Sequence, residues 1–282
     1  MISEPPRLID THAHLDDPIF DRDLEVVMAH ARSENVGTVT LGRDYVSSTL
    51  AVGIAERYQG VYAAVGLHPL RISGDVSADD RLVDMESYRR LAVRPKVVAV
   101  GETGLDFHDL PTGRKGGPEA ELAERIRRGQ KRVFGQFLEL SRELRLPLLL
   151  HCRDAHDEML ELLENWDRAT KGFDARGVVH CFSGTWKQAR RYFGLDFMIS
   201  VTGTITHGGY QGELLRKAPL SKLLVESDCP FQTAVPWGMR RSEPAYVRQV
   251  AAGIASLRRL PVVEVERQLS ANARRMFRRI RP

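Results

Sequence analysis

Leu8-Ile9-Asp10-Thr11-His12-Ala13-His14-Leu15 reads as the end of a short buried strand. Side chains on a strand alternate faces with period two, so His12, His14 and Asp10 are expected to point the same way. Two neutral imidazoles on one face suit a single metal ion. On this stretch alone, a pair of ordinary core histidines is an equal alternative.

The same arrangement, an apolar run ending in a polar group, recurs down the chain. Leu8 to His12, Val36 to Leu41, Val61 to Val65, Val97 to Val100, Leu146 to Leu150, Gly177 to Val179, Phe197 to Val201 and Leu223 to Glu226 read as eight strands. Between and after them, helical spacing predicts helices at about 20–34, Ser47 to Arg57, Asp79 to Ala92, Glu119 to Arg145 (interrupted near Gly129), up to Asp167, Lys187 to Phe193, Gly212 to Lys217, Glu243 to Leu257 and Val262 to Arg279. Alternating strands and helices imply a parallel sheet. Eight such units fit an α/β fold closed as a TIM (β/α)8 barrel better than an open sheet. No shift of composition marks a linker, so residues 1–282 are read as one domain.

In a barrel of this kind the C-terminal strand ends converge on one face, where active sites are built. His12, His14, Glu102, His151, His180 and Asp228 all follow directly on apolar strands, and His68 follows the third. Four imidazoles and two carboxylates in one mouth suit two divalent ions about 3.5 to 4 Å apart, sharing a carboxylate. Unrelated core histidines would bury polar groups with no return. Zinc, magnesium and manganese all remain open.

The three cysteines, Cys152, Cys181 and Cys229, each follow a proposed ligand. Alternation turns them away from the mouth, as packing residues against the helices. An odd number of cysteines makes no disulfide framework. With no basic, apolar leader and no long apolar run, the expectation is a cytoplasmic protein without a membrane span. The net charge of +4 on 282 residues is compatible with a polyanionic partner and does not demand one.

Taken together, Asp10-Thr11-His12-Ala13-His14-Leu15, Gly66-Leu67-His68-Pro69, Gly101-Glu102-Thr103-Gly104-Leu105-Asp106, His151-Cys152-Arg153-Asp154-Ala155, His180-Cys181-Phe182-Ser183-Gly184 and Glu226-Ser227-Asp228-Cys229-Pro230 resemble the TatD family of metal-dependent deoxyribonucleases, with Asn272 and Phe277 resembling its C-terminal signature. The resemblance implies a TIM barrel of the amidohydrolase-like type and hydrolysis at DNA ends. It implies that His12, His14 and Asp228 hold one ion, that His151 and His180 hold the second, and that Glu102 bridges them. Asp228 would also orient or deprotonate water, and His68 and Arg153 would contact substrate phosphate. An ion pair with Asp154 or Glu158 is an equal alternative for Arg153. Asp10 and Glu226 are expected to support ligands rather than bind metal.

The chain departs from the family pattern in Ser227, where Thr is common, and in Ser242-Glu243-Pro244 after Arg240 and Arg241. It also carries a longer segment from Phe107 to Gly117, read as a substrate-contacting lid or as a disordered surface insertion. Arg274, Arg275, Arg278, Arg279 and Arg281 read as the solvated face of a helix that packs through Ala273, Phe277 and Ile280. The expected protein is a monomer that engages DNA transiently. A metal-dependent amide, ester or lactone hydrolase is the alternative enzyme. A nucleic-acid-binding protein on an inactive barrel is the non-enzymatic one.

Overall fold

A computed structural model describes residues 7–72, 83–169, 176–207, 212–236 and 240–280. Eight strands form one parallel sheet in chain order: β1 (Leu8–Ala13), β2 (Val36–Leu41), β3 (Val61–Val65), β4 (Val97–Asp106), β5 (Leu148–Arg153), β6 (Gly177–Val179), β7 (Phe197–Val201) and β8 (Leu223–Val225). The first and last strands meet at their C-terminal ends. Ala13 bridges Cys229, the His14 N–H donates to Cys229 O at 2.8 Å, and the Asp228 N–H donates to His12 O at 2.9 Å. These contacts bring the first-strand histidines and the eighth-strand acid together.

The helices are α1 (Leu24–Ser33), α2 (Tyr45–Arg57), α3 (Met85–Ala92), α4 (Pro118–Leu144), α5 (His156–Ala169), α6 (Trp186–Gly194), α7 (Gly212–Lys217), α8 (Val247–Arg258) and α9 (Val262–Met276). The predicted start of the third helix, Asp79 to Arg81, lies outside the described residues, as do Met1 to Pro6 and Arg281. The expected break near Gly129 is absent, because α4 runs through it with Gly129 on the buried face. Close packing there offsets glycine's poor helix propensity, about 1 kcal/mol against Ala.

Two apolar layers hold the barrel. Ile9, Val39, Leu41, Ala64, Val98, Leu149, Val178, Met198 and Leu224 fill its interior, and Ala273, Met276, Phe277 and Ile280 close it from the N-terminal end. Truncating a buried Phe such as Phe277 typically costs about 3–5 kcal/mol. The C-terminal arginines belong to this closure. Arg279 donates to Val97 O at 2.7 Å and Arg275 to Ser221 O at 2.6 Å, so these two do not form a purely solvated face. Asn272 donates to Leu220 O and Leu223 O, both at 2.8 Å.

Two irregularities re-aim side chains at the opposite end. The pairing of β1 with β2 slips by one residue between Asp10 and Ala13, and that of β4 with β5 slips between Val100 and Thr103. A bulge of this kind changes which face the following residues present. It separates His12 and His14 from Asp10, so the expected three-residue face holds only for the histidines. Asp10 turns sideways instead and accepts from Ser227 Oγ at 2.6 Å and Ser227 N at 2.8 Å. The hydroxyl kept at position 227 is therefore used. No helix among the described residues is long and apolar enough to cross a membrane.

Candidate metal centre

Above the apolar filling, the buried carboxylate of Glu102 stands between two groups of side chains. Its Oε2 lies 3.7 Å from His12 Nε2 and 3.6 Å from His14 Nε2. Those two nitrogens are 3.3 Å apart, and each is 3.7 Å from Asp228 Oδ1. On the other side, Glu102 Oε1 lies 2.9 Å from His180 Nε2 and 3.0 Å from His151 Nδ1, themselves 3.1 Å apart. Two ligands about 2.1 Å from one tetrahedral ion are themselves about 3.4 Å apart. The first group, at 3.3 to 3.7 Å, has that spacing; the second, at 2.9 to 3.1 Å, is drawn somewhat tighter. Glu102 Oε2 is buried with no hydrogen-bond donor among the described residues, an orphan that a cation would satisfy. All six sequence-selected ligand candidates are thus brought together, and the donor set fits metal ions.

The hydrogen bonds on the far sides of the rings fix which nitrogens face inward. His14 Nδ1 lies 3.1 Å from the Leu41 carbonyl, which can only accept, so Nδ1 carries the proton and Nε2 offers its lone pair. His151 Nε2 lies 2.8 Å from Asp106 Oδ2, which leaves Nδ1 free to ligate. His180 Nδ1 sits 3.6 Å from Glu226 Oε1. Glu226 itself accepts from Cys181 N and Ser200 Oγ, so both of its oxygens are engaged in supporting the site.

His68 is different. Its Nε2 lies 3.3 Å from Glu102 Oε1 and 3.2 Å from His151 Nδ1, as if it were a further ligand. Yet the Leu70 N–H donates to His68 Nδ1 at 3.1 Å. A nitrogen that accepts carries no proton, so in the neutral ring Nε2 bears the hydrogen. His68 therefore presents a donor, not a lone pair.

Electrostatics agree with a cation site. Burial raises the Glu102 carboxyl, and His68, His180 and His12 more than offset this, holding it well below the usual carboxylate range. Burial pushes His14 down to about 3 despite Glu102. Burial also disfavours charge on His151 and His180, yet Asp106 and Glu102 raise the first while Glu102 and Glu226 raise the second. Surroundings that stabilise extra protons stabilise metal ions in their place. Burial lifts Asp228 to about 6, with His12 and His180 opposing.

Asp106 was not singled out from the sequence. It ends β4 four residues after Glu102, and its backbone is held by Gln130 of α4, which accepts from Asp106 N at 2.8 Å and donates to Asp106 O at 3.0 Å. Only a strand continued past Val100 would have revealed it, since residues 102, 104 and 106 then share a face. Asp106→Asn is expected to weaken metal binding about 10- to 100-fold, as loss of an orienting partner typically does. Competition with a chelator measures this, and unchanged affinity would show that Asp106 does not orient His151.

The remaining sequence candidates divide. Arg153 is exposed, and among the described residues it forms no ion pair with Asp154 or Glu158; Asp154 is taken by His108 Nδ1 at 2.6 Å. Cys152 and Cys229 are buried, and burial raises both thiols, as suits packing residues. Arg241 pairs with Asp23 at 2.7 Å and stacks on Phe20, so it braces the loop after β1. The segment after β4 is anchored by buried Phe107 and by Leu110 packed on the core, with Arg114 and Lys115 exposed.

The sequence matches the family described as TatD related DNase over residues 9–278. The chain belongs to this family. As a TatD relative it is a metal-dependent hydrolase. It is 34% identical over 274 residues to an uncharacterized metal-dependent hydrolase, YabD, of Bacillus subtilis (strain 168), covering 96% of this chain and 99% of that one. It is also 34% identical over 281 residues to a 3'-5' ssDNA/RNA exonuclease, TatD, of Klebsiella pneumoniae (strain 342), covering 96% and 97%. The crystal structure of the TatD homolog YjjV from Escherichia coli K12 superposes with a TM-score of 0.82 at 30% identity, covering 97% of this chain and 98% of that one.

Proposed function

We propose that this TatD-family protein is a metal-dependent exonuclease that hydrolyses phosphodiester bonds at the ends of single-stranded DNA. The observation carrying the reading is Glu102, whose two oxygens face two separate donor groups at 2.9 to 3.7 Å. Relatives named as 3'-5' ssDNA/RNA exonucleases support the substrate class. His12, His14 and Asp228 would hold one ion, His151 and His180 the other, and Glu102 both. Such ions, when bound, supply a lowered water pKa and charge stabilisation at the phosphoryl group.

The chain's own residues do the rest. Asp228 sits at the mouth with a carboxylate able to take a proton from the attacking water. His68 Nε2–H faces the group formed by Glu102 Oε1 and His151 Nδ1, placed to donate to a phosphoryl oxygen there. Arg153 stands exposed at the end of β5 as a cation for a neighbouring phosphate. A net charge of +4 suits transient contact with a few phosphates by a cytoplasmic monomer acting without a membrane.

The test is product analysis on end-labelled single-stranded DNA, using protein stripped of metal and reloaded with magnesium, manganese or zinc. Stepwise release of mononucleotides is expected. Turnover of ester or lactone substrates with no DNA cleavage in any metal would overturn the nuclease reading.

A further inference from the structure

The edge of the candidate metal centre carries a pair of cations that metal binding and hydrolysis leave unused. Gln130 of α4 clamps the main chain of Asp106, accepting from its N at 2.8 Å and donating to its O at 3.0 Å. Asp106 in turn lies 2.8 Å from His151 Nε2. The part of α4 around Gln130 is therefore fixed beside the second donor group. Arg127 stands three residues before Gln130 and Lys131 one residue after it. Both reach the residue that follows Asp106. Arg127 Cζ lies 5.3 Å from the centre of the Phe107 ring, and Lys131 Nζ lies 5.9 Å from it. Phe107 is buried, and its N–H donates to Arg153 O at 2.9 Å. Arg153 pairs with Asp106 in the ladder of β4 and β5 and, by alternation, shares a face with His151.

The positive charge there has little counter-charge within the protein. Among the described residues Lys131 forms no ion pair, and Arg127 reaches only Glu124, at 4.0 Å. Neighbouring acids are engaged elsewhere: Asp106 with His151 and the His108 N–H, Asp154 with His108 Nδ1. The Arg127 side chain keeps 39% of its surface exposed, so it remains open to a ligand. Simple packing would lay the aliphatic stems on the ring and send the charged ends into water. Here the charged ends themselves lie on the ring, whose quadrupole attracts a cation without neutralising it. Two like charges gathered on one ring repel each other, and an anion bound between them relieves the repulsion. A phosphate oxygen accepts from guanidinium and ammonium alike.

We propose that Arg127 and Lys131 form a phosphate subsite beside the candidate metal centre, binding a backbone phosphate of a single strand close to the linkage being hydrolysed. Phe107 is the fixed floor that holds the two charges in place. This deepens the exonuclease reading and rests on it for the identity of the strand. A phosphate recurs at every nucleotide, so the subsite sets affinity and register whatever the base.

The experiment measures binding by fluorescence anisotropy in calcium. The probes are a short single-stranded oligonucleotide and versions with one uncharged methylphosphonate linkage walked inward from each end. At one position wild type is expected to lose about tenfold in affinity, and the Arg127→Gln, Lys131→Gln double variant to lose nothing there. Arg127→Lys with Lys131→Arg keeps both charges and keeps the loss. Each Gln substitution alone lowers the salt slope by about 0.7, the value for one phosphate contact on a single strand. Arg267→Gln removes the same charge from an exposed position on α9, the helix that closes the opposite end of the barrel, and leaves the slope as it is. A double variant that loses at every position what wild type loses overturns the subsite, as does a slope that Arg267→Gln lowers equally. Stepwise cleavage with either of those results would remove the subsite and leave the exonuclease reading standing. Position-dependent loss without cleavage in any metal would do the reverse. No DNA binding at all removes both.

Discussion

Asp228→Asn is expected to lower turnover of single-stranded DNA roughly a thousandfold, within the range typical for loss of a proton acceptor in the reacting site. The fold should survive the change. Asp228 has a φ of 47°, in the left-handed region, which Asn enters more readily than other residues with side chains. Its backbone N–H to His12 O, which helps close the barrel, is untouched. The amide keeps the carboxylate's shape and an oxygen beside His12 and His14. What it removes is the ability to take a proton, together with the negative charge that Asp228 would bring to the first ion. Steady-state kinetics alongside thermal melting separates the two effects. Wild-type turnover would refute the role given to Asp228, and a large fall in melting temperature would show that the residue is structural.

The candidate metal centre was legible because barrel strands are apolar on both faces, so a His, Asp or Glu directly after one stands out. That signal located His12, His14, Glu102, His151, His180 and Asp228. It gave no view of Asp106, because Gly101-Glu102-Thr103-Gly104-Leu105-Asp106 has the glycines and polar groups of a loop while the structure continues it as strand. Nor does alternation foresee a slipped register, which is why Asp10 was grouped with the histidines. Register depends on what the neighbouring strand offers, here Thr38 and Thr40 of β2.

The identity of each histidine's inward nitrogen was out of reach for a related reason. It is set by Leu41 O for His14, by Asp106 for His151 and by Leu70 N for His68. Two of these three partners are main-chain atoms, whose placement follows from the fold and not from residue type. The case of His68 shows the consequence. By residue type and strand position it is indistinguishable from a ligand, and one backbone N–H makes it a donor.

Glu102→Gln is the more severe test, because it strikes both donor groups at once. Each oxygen of Glu102 faces a different group, Oε2 toward His12 and His14, Oε1 toward His68, His151 and His180. Gln keeps the size, but one arm becomes an NH2 group that cannot ligate, and the negative charge is gone. Bound metal, measured by elemental analysis after dialysis against manganese, is expected to fall from two ions per chain to one or fewer. DNA hydrolysis should fall at least about a thousandfold, since the water-activating pair is incomplete. The metal-free protein offers a second readout. Removing one partner of a buried charge pair typically costs about 3–5 kcal/mol, and here the imidazoles are left without their central counter-charge. Glu102→Asp keeps the charge but is one methylene shorter, so it should retain more stability than Gln while still losing metal. Two ions bound by Glu102→Gln with unchanged turnover would mean that the carboxylate does not bridge, and the role given to Glu102 would fall.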